Sequence, residues 1–336
     1  RCGAAEDYLT LTTSIEYKPL SYYEENEAEK IEDIKAFMKT LFPIEDVNKY
    51  MWEFLASSLI GVNLNHKFRI FLGTGSNGKS ILIKLMSKIL NPRERGGYQG
   101  VLSGSVVSQK RIGQGNASPE LMNLMGVRFA VIQEPSKGDK LNDGAMKEIT
   151  GGDTITGRKL YQDQVSYDPQ FDLVVCANTL YDIEDTSEGT WRRIDVIEFV
   201  SKFDDNPNDS KWKHHKYIFP KDKFLERKFE DWKEVMISML IDIAFKTNGS
   251  VSDCKTIRDA SFEYEASQNS VLKFITTCVR ECEGSKIKMT GLWRDYQLWL
   301  QSQGDQKMLK QNELKEAMSK MYGDYAASKC WKNVRV

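Results

Sequence analysis

The sequence predicts an α/β fold built on a largely parallel sheet, with helical segments before and after it. Three observations carry this. Short apolar runs rich in strand formers, at 68–72, 127–132, 171–177 and 194–199, alternate with helical stretches. A glycine-rich turn joins the first of these runs directly to a helix. Apolar residues at helical spacing fill the flanking regions.

Composition supports a globular chain. The 336 residues are 40% hydrophobic and 28% charged, which excludes a disordered chain, a collagen-like fibre and a disulfide scaffold. At about 100–200 residues per domain the length fits two or three domains. A formal net charge of −1 argues against a uniformly basic binder, although a local basic channel remains compatible with it. No stretch approaches the roughly 18 apolar residues of a membrane helix. The opening residues do not read as a signal peptide, so no membrane partner is expected. Six cysteines (Cys2, Cys176, Cys254, Cys278, Cys282, Cys330) lack zinc-knuckle spacing, and Cys278 and Cys282 would share a face if their segment is helical. Together these features predict a cytoplasmic or nuclear, reducing environment. Three histidines (His66, His214, His215) make histidine-based metal catalysis an unfavoured reading. The chain does not begin with Met, which suggests a fragment of a longer polypeptide.

Residues 21–60 read as helices. Ile31, Ile34, Phe37, Met38 and Leu41 recur on one helical face, Pro43 interrupts, and a second apolar helix runs from about 47 to 60. The strand at 68–72 follows, then the glycine turn, then a helix halted near Asn91-Pro92. The strands at 127–132, 171–177 and 194–199 complete the sheet. Residues 204–222 are polar and read as an exposed connection. Helical spacing returns at Trp232, Met236, Met239, Leu240 and Ile243 and ends near Thr247-Asn248-Gly249-Ser250. A compact tail from Ser270 holds 12 Lys/Arg against 7 Asp/Glu in residues 271–336.

The chemistry concentrates in the sheet region. Gly73-Thr74-Gly75-Ser76-Asn77-Gly78-Lys79-Ser80 satisfies G-x-x-x-x-G-K-[ST] in full. Glycines let backbone N–H groups turn inward around phosphate oxygens, Lys79 reaches the β/γ-phosphates, and the Ser80 hydroxyl suits Mg²⁺. The N-terminus of the next helix adds its positive dipole end. Glu134 ends the second apolar strand, where an acid can polarise water and help hold the metal. Its neighbour is Gln133 rather than a second acid. Asn178 follows the third strand and can orient water at the γ-phosphate, although an Asn there is often a turn residue. Arg192 and Arg193 precede the fourth strand. An arginine reaching a neighbour's nucleotide can stabilise transition-state charge, and a surface ion pair is the plainer alternative. Arg158, Lys159 and Tyr161 combine cation and aromatic on one short segment, which suits backbone neutralisation and base contact on a single strand. Read alone, that segment is an ordinary hairpin.

Taken together, GTGSNGKS at 73–80, the strand ending at Glu134, TGGDTITGRKLY at 150–161, LVVCANT at 173–179 and WRR at 191–193 resemble superfamily III helicases of the AAA+ class. The likeness is to the primase–helicases of poxviruses and other large cytoplasmic DNA viruses and to their phage and plasmid relatives. The resemblance implies an N-terminal helical helicase-associated domain (1–62), an AAA+ P-loop ATPase core (63–203), a helical lid or connection (204–264) and a small winged-helix-like C-terminal domain (265–336). It implies ATP and Mg²⁺ as ligands, with Lys79 and Ser80 on phosphate and metal and Glu134 activating water. Asn178 would be the sensor, Arg192 or Arg193 the trans-acting finger, and Arg158 and Lys159 would lie in or beside the segment that grips DNA. It further implies a ring-shaped homo-hexamer moving 3′ to 5′ on single-stranded DNA, a linked upstream primase domain, and action in the cytoplasm. A nucleotide-gated DNA-binding module with little hydrolysis, or a P-loop kinase, are the alternatives.

Overall fold

The computed structural model describes residues 10–108, 119–133, 139–159, 161–304, 310–323, 325 and 330–336. The chain folds as two compact units, Arg1–Ala260 and Ser261–Val336. No helix among the described residues is long and apolar enough to cross a membrane.

Three helices come first: α1 (Leu20–Asn26), α2 (Ala28–Leu41) and α3 (Glu45–Ser57). α2 buries Ile31, Ile34, Phe37, Met38 and Leu41, the residues whose spacing predicted it. α3 opens with Glu45 and Asp46 in its first turn, where acids complement the helix dipole. It stops short of residue 60. The hydroxyls of Ser57 and Ser58 donate back to the carbonyls of Phe54 and Leu55, both at 2.7 Å, an alternative to continued helix.

β1 (Phe68–Leu72) leads through the glycine turn into α4 (Lys79–Leu90), which ends where Asn91 takes φ 58° before Pro92. β2 (Gln99–Leu102) is a strand the apolar pattern did not predict. Gly100 breaks that pattern, and it is needed because a Cβ there would lie 2.6 Å from Leu124 Cδ2. Two short helices, α5 (Ser105–Ser108) and α6 (Pro119–Met122), precede β3 (Phe129–Gln133). β3 starts two residues later than expected, since the Val127 N–H still closes the preceding turn onto Leu124 O at 2.9 Å. Then come α7 (Asp143–Thr150), the antiparallel hairpin β4 (Ile155–Arg158) and β5 (Gln164–Tyr167), and β6 (Asp172–Ala177). α8 (Glu188–Trp191) and β7 (Ile194–Glu198) follow. A parallel pair follows, β8 (Lys202–Asp204) just before, and β9 (Ile218–Pro220) within, the stretch 204–222 expected to be an exposed connection. α9 (Leu225–Thr247) and α10 (Lys255–Gln268) come next.

The central sheet has the order β2-β3-β6-β1-β7 and every pairing is parallel. All six residues of β6 are buried, which explains its continuous apolar sequence. One core joins α2, α3, α4 and α9 to alternate strand residues Phe71, Phe129, Val131, Val174, Cys176 and Ile197. Phe54 of α3 meets Phe71 edge-on at 6.2 Å between centroids, and Phe71 meets Phe199 at 5.0 Å, distances at which aromatic pairs add to area burial.

The second unit packs α11 (Ser270–Cys278), α12 (Met289–Ser302) and α13 (Gln311–Tyr322) against the antiparallel pair β10 (Arg280–Ile287) and β11 (Trp331–Arg335). Phe274, Tyr296, Leu314, Met318 and Trp331 lie at its centre. Cys278 ends α11, Val279 turns extended, and Cys282 sits on β10. The two thiols therefore do not share a helix face, and both are free.

A buried charge ties α3 to the sheet. Arg69 on β1 is 0% exposed. It donates from Nη1 to Asp172 Oδ1 of β6 at 2.6 Å and from Nε to Tyr50 Oη at 2.9 Å. Tyr50 Oη donates to Asp195 Oδ2 of β7 at 2.6 Å, Ser57 Oγ donates to Asp172 Oδ2 at 2.9 Å, and Lys67 Nζ reaches Asp195 Oδ1 at 2.8 Å. The guanidinium carbon lies 4.2 Å from the Phe54 ring centroid. Burial works against the Arg69 charge, but Tyr50, Asp172 and Asp195 outweigh it and raise its pKa. Burial is also the main cause that pushes the Tyr50 hydroxyl up. Asp172→Ala leaves this arginine buried and uncompensated and should cost about 3–5 kcal/mol in urea unfolding. Lys67, 33% exposed, should cost no more than about 1 kcal/mol on Lys67→Ala. Equal losses in the two variants would contradict this ranking.

Candidate functional site

The glycine turn follows the carboxyl end of β1. Its first residue has no room for a side chain, since a Cβ on Gly73 would lie 1.9 Å from Asn77 Nδ2. The loop then takes three left-handed steps, Gly75 at φ 68°, Ser76 at φ 48° and Gly78 at φ 88°. Only glycine adopts that region without steric cost. At Gly78 a Cβ would also meet Leu41 Cδ1 at 2.2 Å. Such a succession turns backbone N–H groups toward one concavity. α4 begins at Lys79, so its unpaired N–H groups open onto the same place. Thr74 and Ser80 are exposed on the loop and in the first helical turn.

Lys79 is 7% exposed. Its ammonium contacts the Gly73 carbonyl closely, Asn77 Oδ1 at 3.4 Å and Asn178 Oδ1 at 3.3 Å. The structure thus brings Lys79 and Asn178 together across 99 residues of sequence. Sheet order explains the meeting. β6 lies between β1 and β3, so the residue after β6 emerges beside the loop after β1. In register, Leu72 pairs with Ala177 and Gln133 with Cys176, so the three strands end at one level. Glu134 lies outside the described residues, as do 135–138. Among the described residues the buried Asn77 Nδ2 in the loop has no hydrogen-bond partner, which leaves a donor free for an anion there. Among the described residues no group of three or more His, Cys, Asp or Glu could hold a metal ion.

Arg192 and Arg193 are placed elsewhere. They precede β7, whose Ile194 pairs with Phe68, and the Arg193 carbonyl accepts from Phe68 N–H at 2.6 Å. Both arginines thus lie at the amino edge of the sheet, one strand length from the glycine loop. Arg193 Nη1 donates to Gly189 O at 2.6 Å, whereas Arg192 is exposed. The turn that carries them is clamped by Asp185. Its carboxylate accepts from Lys147 Nζ at 2.7 Å, from Ser187 N–H at 2.9 Å, from Ser187 Oγ at 2.7 Å and from Thr190 Oγ1, and its carbonyl accepts from Trp191 Nε1 at 3.0 Å.

Arg158, Lys159 and Tyr161 share the β4–β5 hairpin; Leu160 lies outside the described residues. Tyr161 is fully exposed at φ 60° and Arg158 is exposed, while Lys159 lines a shallow cleft of about 250 Å³ with Glu94, Val101 and Asn123. The hairpin is anchored by Tyr167 Oη donating to Leu121 O at 2.6 Å and by Thr154 Oγ1 donating to Asp168 at 2.6 Å.

Sequence reading missed two residues that brace the candidate site. Asp185 stands two residues before Ser187 in a helix-start pattern that could have marked it. Lys202, which donates to the carbonyls of Thr74 and Gly75, sits in a stretch with no motif.

Similarity to known proteins covers most of the chain. A family of unknown function, DUF5906, matches residues 71–193. A protein named "Putative helicase" in Acanthamoeba polyphaga mimivirus is 31% identical over 311 residues, 90% of this chain and 31% of the relative. Another so named, in Invertebrate iridescent virus 6, is 27% identical over 322 residues, 89% of this chain and 32% of the relative. A protein named "Putative primase" in African swine fever virus is 24% identical over 249 residues, 73% of this chain and 26% of the relative. The chain therefore spans a third or less of these relatives' length. Among solved structures, the C-terminal region of NrS-1 has the same fold at a TM-score of 0.51 and 15% identity, covering 92% of this chain and 73% of that one. The resemblance read from the motifs holds: the chain's relatives are helicase- and primase-named proteins of large DNA viruses.

Burial works against the Asp185 carboxylate, but its hydrogen bonds from Lys147, Thr190 and Ser187 outweigh this and hold its pKa well below the usual carboxylate range. A depressed folded-state pKa contributes stability that is present above the unfolded value of about 3.9 and lost as pH falls through the folded one. Asp185→Asn should therefore be less stable than the parent at neutral pH. The difference should shrink as pH drops below about 4, read by thermal melting across pH; a difference constant from pH 7 to 2 would contradict the clamp.

Proposed function

We propose that this chain, kin to the helicase- and primase-named proteins of large DNA viruses, is the motor segment of a primase–helicase. It would hydrolyse ATP and move on single-stranded DNA. The observation that carries the reading is the division of the sheet. The glycine loop, Lys79 and Asn178 meet at one edge, and an exposed Arg192 stands at the other. A five-residue strand at about 3.3 Å per residue separates the two edges by on the order of 15 Å. That span is too long for Arg192 to serve its own loop, which supports a finger that works on the neighbouring subunit. A closed ring is the arrangement in which every subunit gives one arginine and receives one, and a hexamer travelling 3′ to 5′ is the form the resemblance implies. Arg193, engaged with Gly189, supports the turn instead.

In this reading the inward N–H groups of 73–78 and the α4 N-terminus bind the phosphates, and Lys79 takes the β/γ oxygens. Asn178 orients water, with Glu134 as the activating acid. Bound Mg²⁺ would neutralise phosphate charge, with Ser80 and Glu134 as the protein's own donors. Arg158, Lys159 and Tyr161 on their hairpin would contact DNA backbone and bases. The strand order supports an AAA+ core. Three helices on a two-stranded sheet support a winged-helix-like second unit. The relatives' greater length supports a primase domain joined to this segment, acting where viral DNA is replicated in host cytoplasm.

Lys79→Ala and Glu134→Gln should each abolish DNA-stimulated ATP hydrolysis, measured as phosphate release. Arg192→Ala should do the same while leaving nucleotide binding intact. Mixing Lys79→Ala with Arg192→Ala protein should restore partial turnover at shared interfaces, and absence of rescue at every ratio would refute a trans site. Binding to single-stranded DNA should weaken with salt. Arg158→Ala should reduce the log–log slope by about 0.7, the share of one phosphate on a single strand; an unchanged slope would remove Arg158 from the DNA path.

A further inference from the structure

The glycine loop is flanked by a second cation that no motif marks. Lys202 Nζ donates to the Gly75 carbonyl at 2.7 Å and to the Thr74 carbonyl at 3.1 Å. The backbone delivers it there. β7 runs beside β1, and past its end Phe199 N–H donates to Leu72 O at 2.8 Å and Phe203 N–H to Ser76 O at 2.9 Å. Residues 199–203 therefore lie along the loop, and Ser201 Oγ donating to Thr40 O at 2.6 Å fixes them from behind. Two further contacts hold Lys202. Its N–H donates to Tyr217 O at 2.9 Å, and its ammonium lies 5.7 Å from the Trp212 ring centroid, within cation–π range. Among the described residues no carboxylate forms a salt bridge with it. Among the described residues its charge is met by carbonyl dipoles and an aromatic face, which leave a net positive charge at the loop.

We infer that Lys202 is a second phosphate-binding cation, acting in cis on the terminal phosphate of a bound nucleoside triphosphate. The inference rests on the phosphate-loop reading and adds a residue to it. Lys79 and the α4 N-terminus, worth roughly half an elementary charge, meet the phosphates from the helix side. Lys202 approaches from the β7 side, beside the outer turn at Thr74–Ser76. A triphosphate carries more negative charge than Lys79 and the helix end supply together. A diphosphate lacks the group Lys202 would touch, so its contribution should appear only with the triphosphate.

The test is equilibrium binding of ADP and of a non-hydrolysable ATP analogue to the full chain by calorimetry. Lys202→Gln should weaken the triphosphate analogue about 10–100-fold, the range for a hydrogen bond to a charged group, and leave ADP bound as in the parent. Lys202→Arg should keep the preference for triphosphate. Equal weakening of both nucleotides would mean that Lys202 only props the loop, and it would overturn the inference; so would no change in either. Lys79→Ala serves as the separate control. If it binds both nucleotides as the parent does, the phosphate-loop reading itself fails.

Discussion

A parallel sheet has two chemically unlike edges, and the arrangement of this protein depends on which groups each edge receives. At the carboxyl edge the chain leaves β1, β3 and β6 at one level, so loops from distant sequence emerge as neighbours. Ligands of open α/β sheets bind outside that edge. The insertion of β6 between β1 and β3 decides the details. It sets Asn178 directly against Lys79.

The amino edge is where the fold is made rigid. Arg69 spans β1 to β6 by its carboxylate partner and reaches Asp195 of β7 through Tyr50, so three strands and α3 meet in one polar cluster. A buried pair of this kind is weak as a source of net stability but severe when broken. Asp195 lies two residues after Arg193, and Lys67 next to Phe68 pairs with it. The exposed arginine therefore precedes a strand braced by this cluster. If Arg192 acts on a neighbouring subunit, as proposed, such a base would serve it, because a mobile arginine would lose the positional advantage.

Much of this was legible in the sequence, and the limits have physical causes. β1, β6, β7 and the α2 face were readable because burial on both sides, or along one helical stripe, forces continuous or periodic apolar residues. The glycine loop was readable because its left-handed steps at Gly75 and Gly78 favour glycine at fixed spacing. β2 was not, because the glycine that lets it pass Leu124 dilutes its pattern. β8 and β9 were missed because short pairs on a polar surface bury too little to leave a signal. Lys202 was invisible for another reason. A lysine is ordinary in any exposed segment, and only the run of β7 beside β1 puts this one on the loop. The different settings of Arg192 and Arg193 were likewise invisible in the sequence, since only backbone geometry engages Arg193 with Gly189 and leaves Arg192 exposed.

The two edges are joined by one short segment. From Asn178 the chain passes buried Tyr181, pairs Asp182 O with Leu141 N–H at 2.9 Å, forms the Asp185 clamp on Lys147 and reaches Arg192. The amide beside Lys79 and the exposed arginine are thus ends of a single braced stretch. Under the proposed function, a phosphate entering the loop would compete for the Lys79 ammonium with Gly73 O, Asn77 Oδ1 and Asn178 Oδ1, and a charged acceptor is the stronger one. Whatever Asn178 gives up at that moment is felt first by this segment, since its next fixed points are Tyr181 and Asp182. In a ring whose subunits each lend an arginine to the next, the same segment would then link a subunit's own phosphate contacts to the site it completes. The physical requirement for such coupling is an element with two arrangements that both sites bias. Under the proposed function, the element that would meet both sites is residues 178–192.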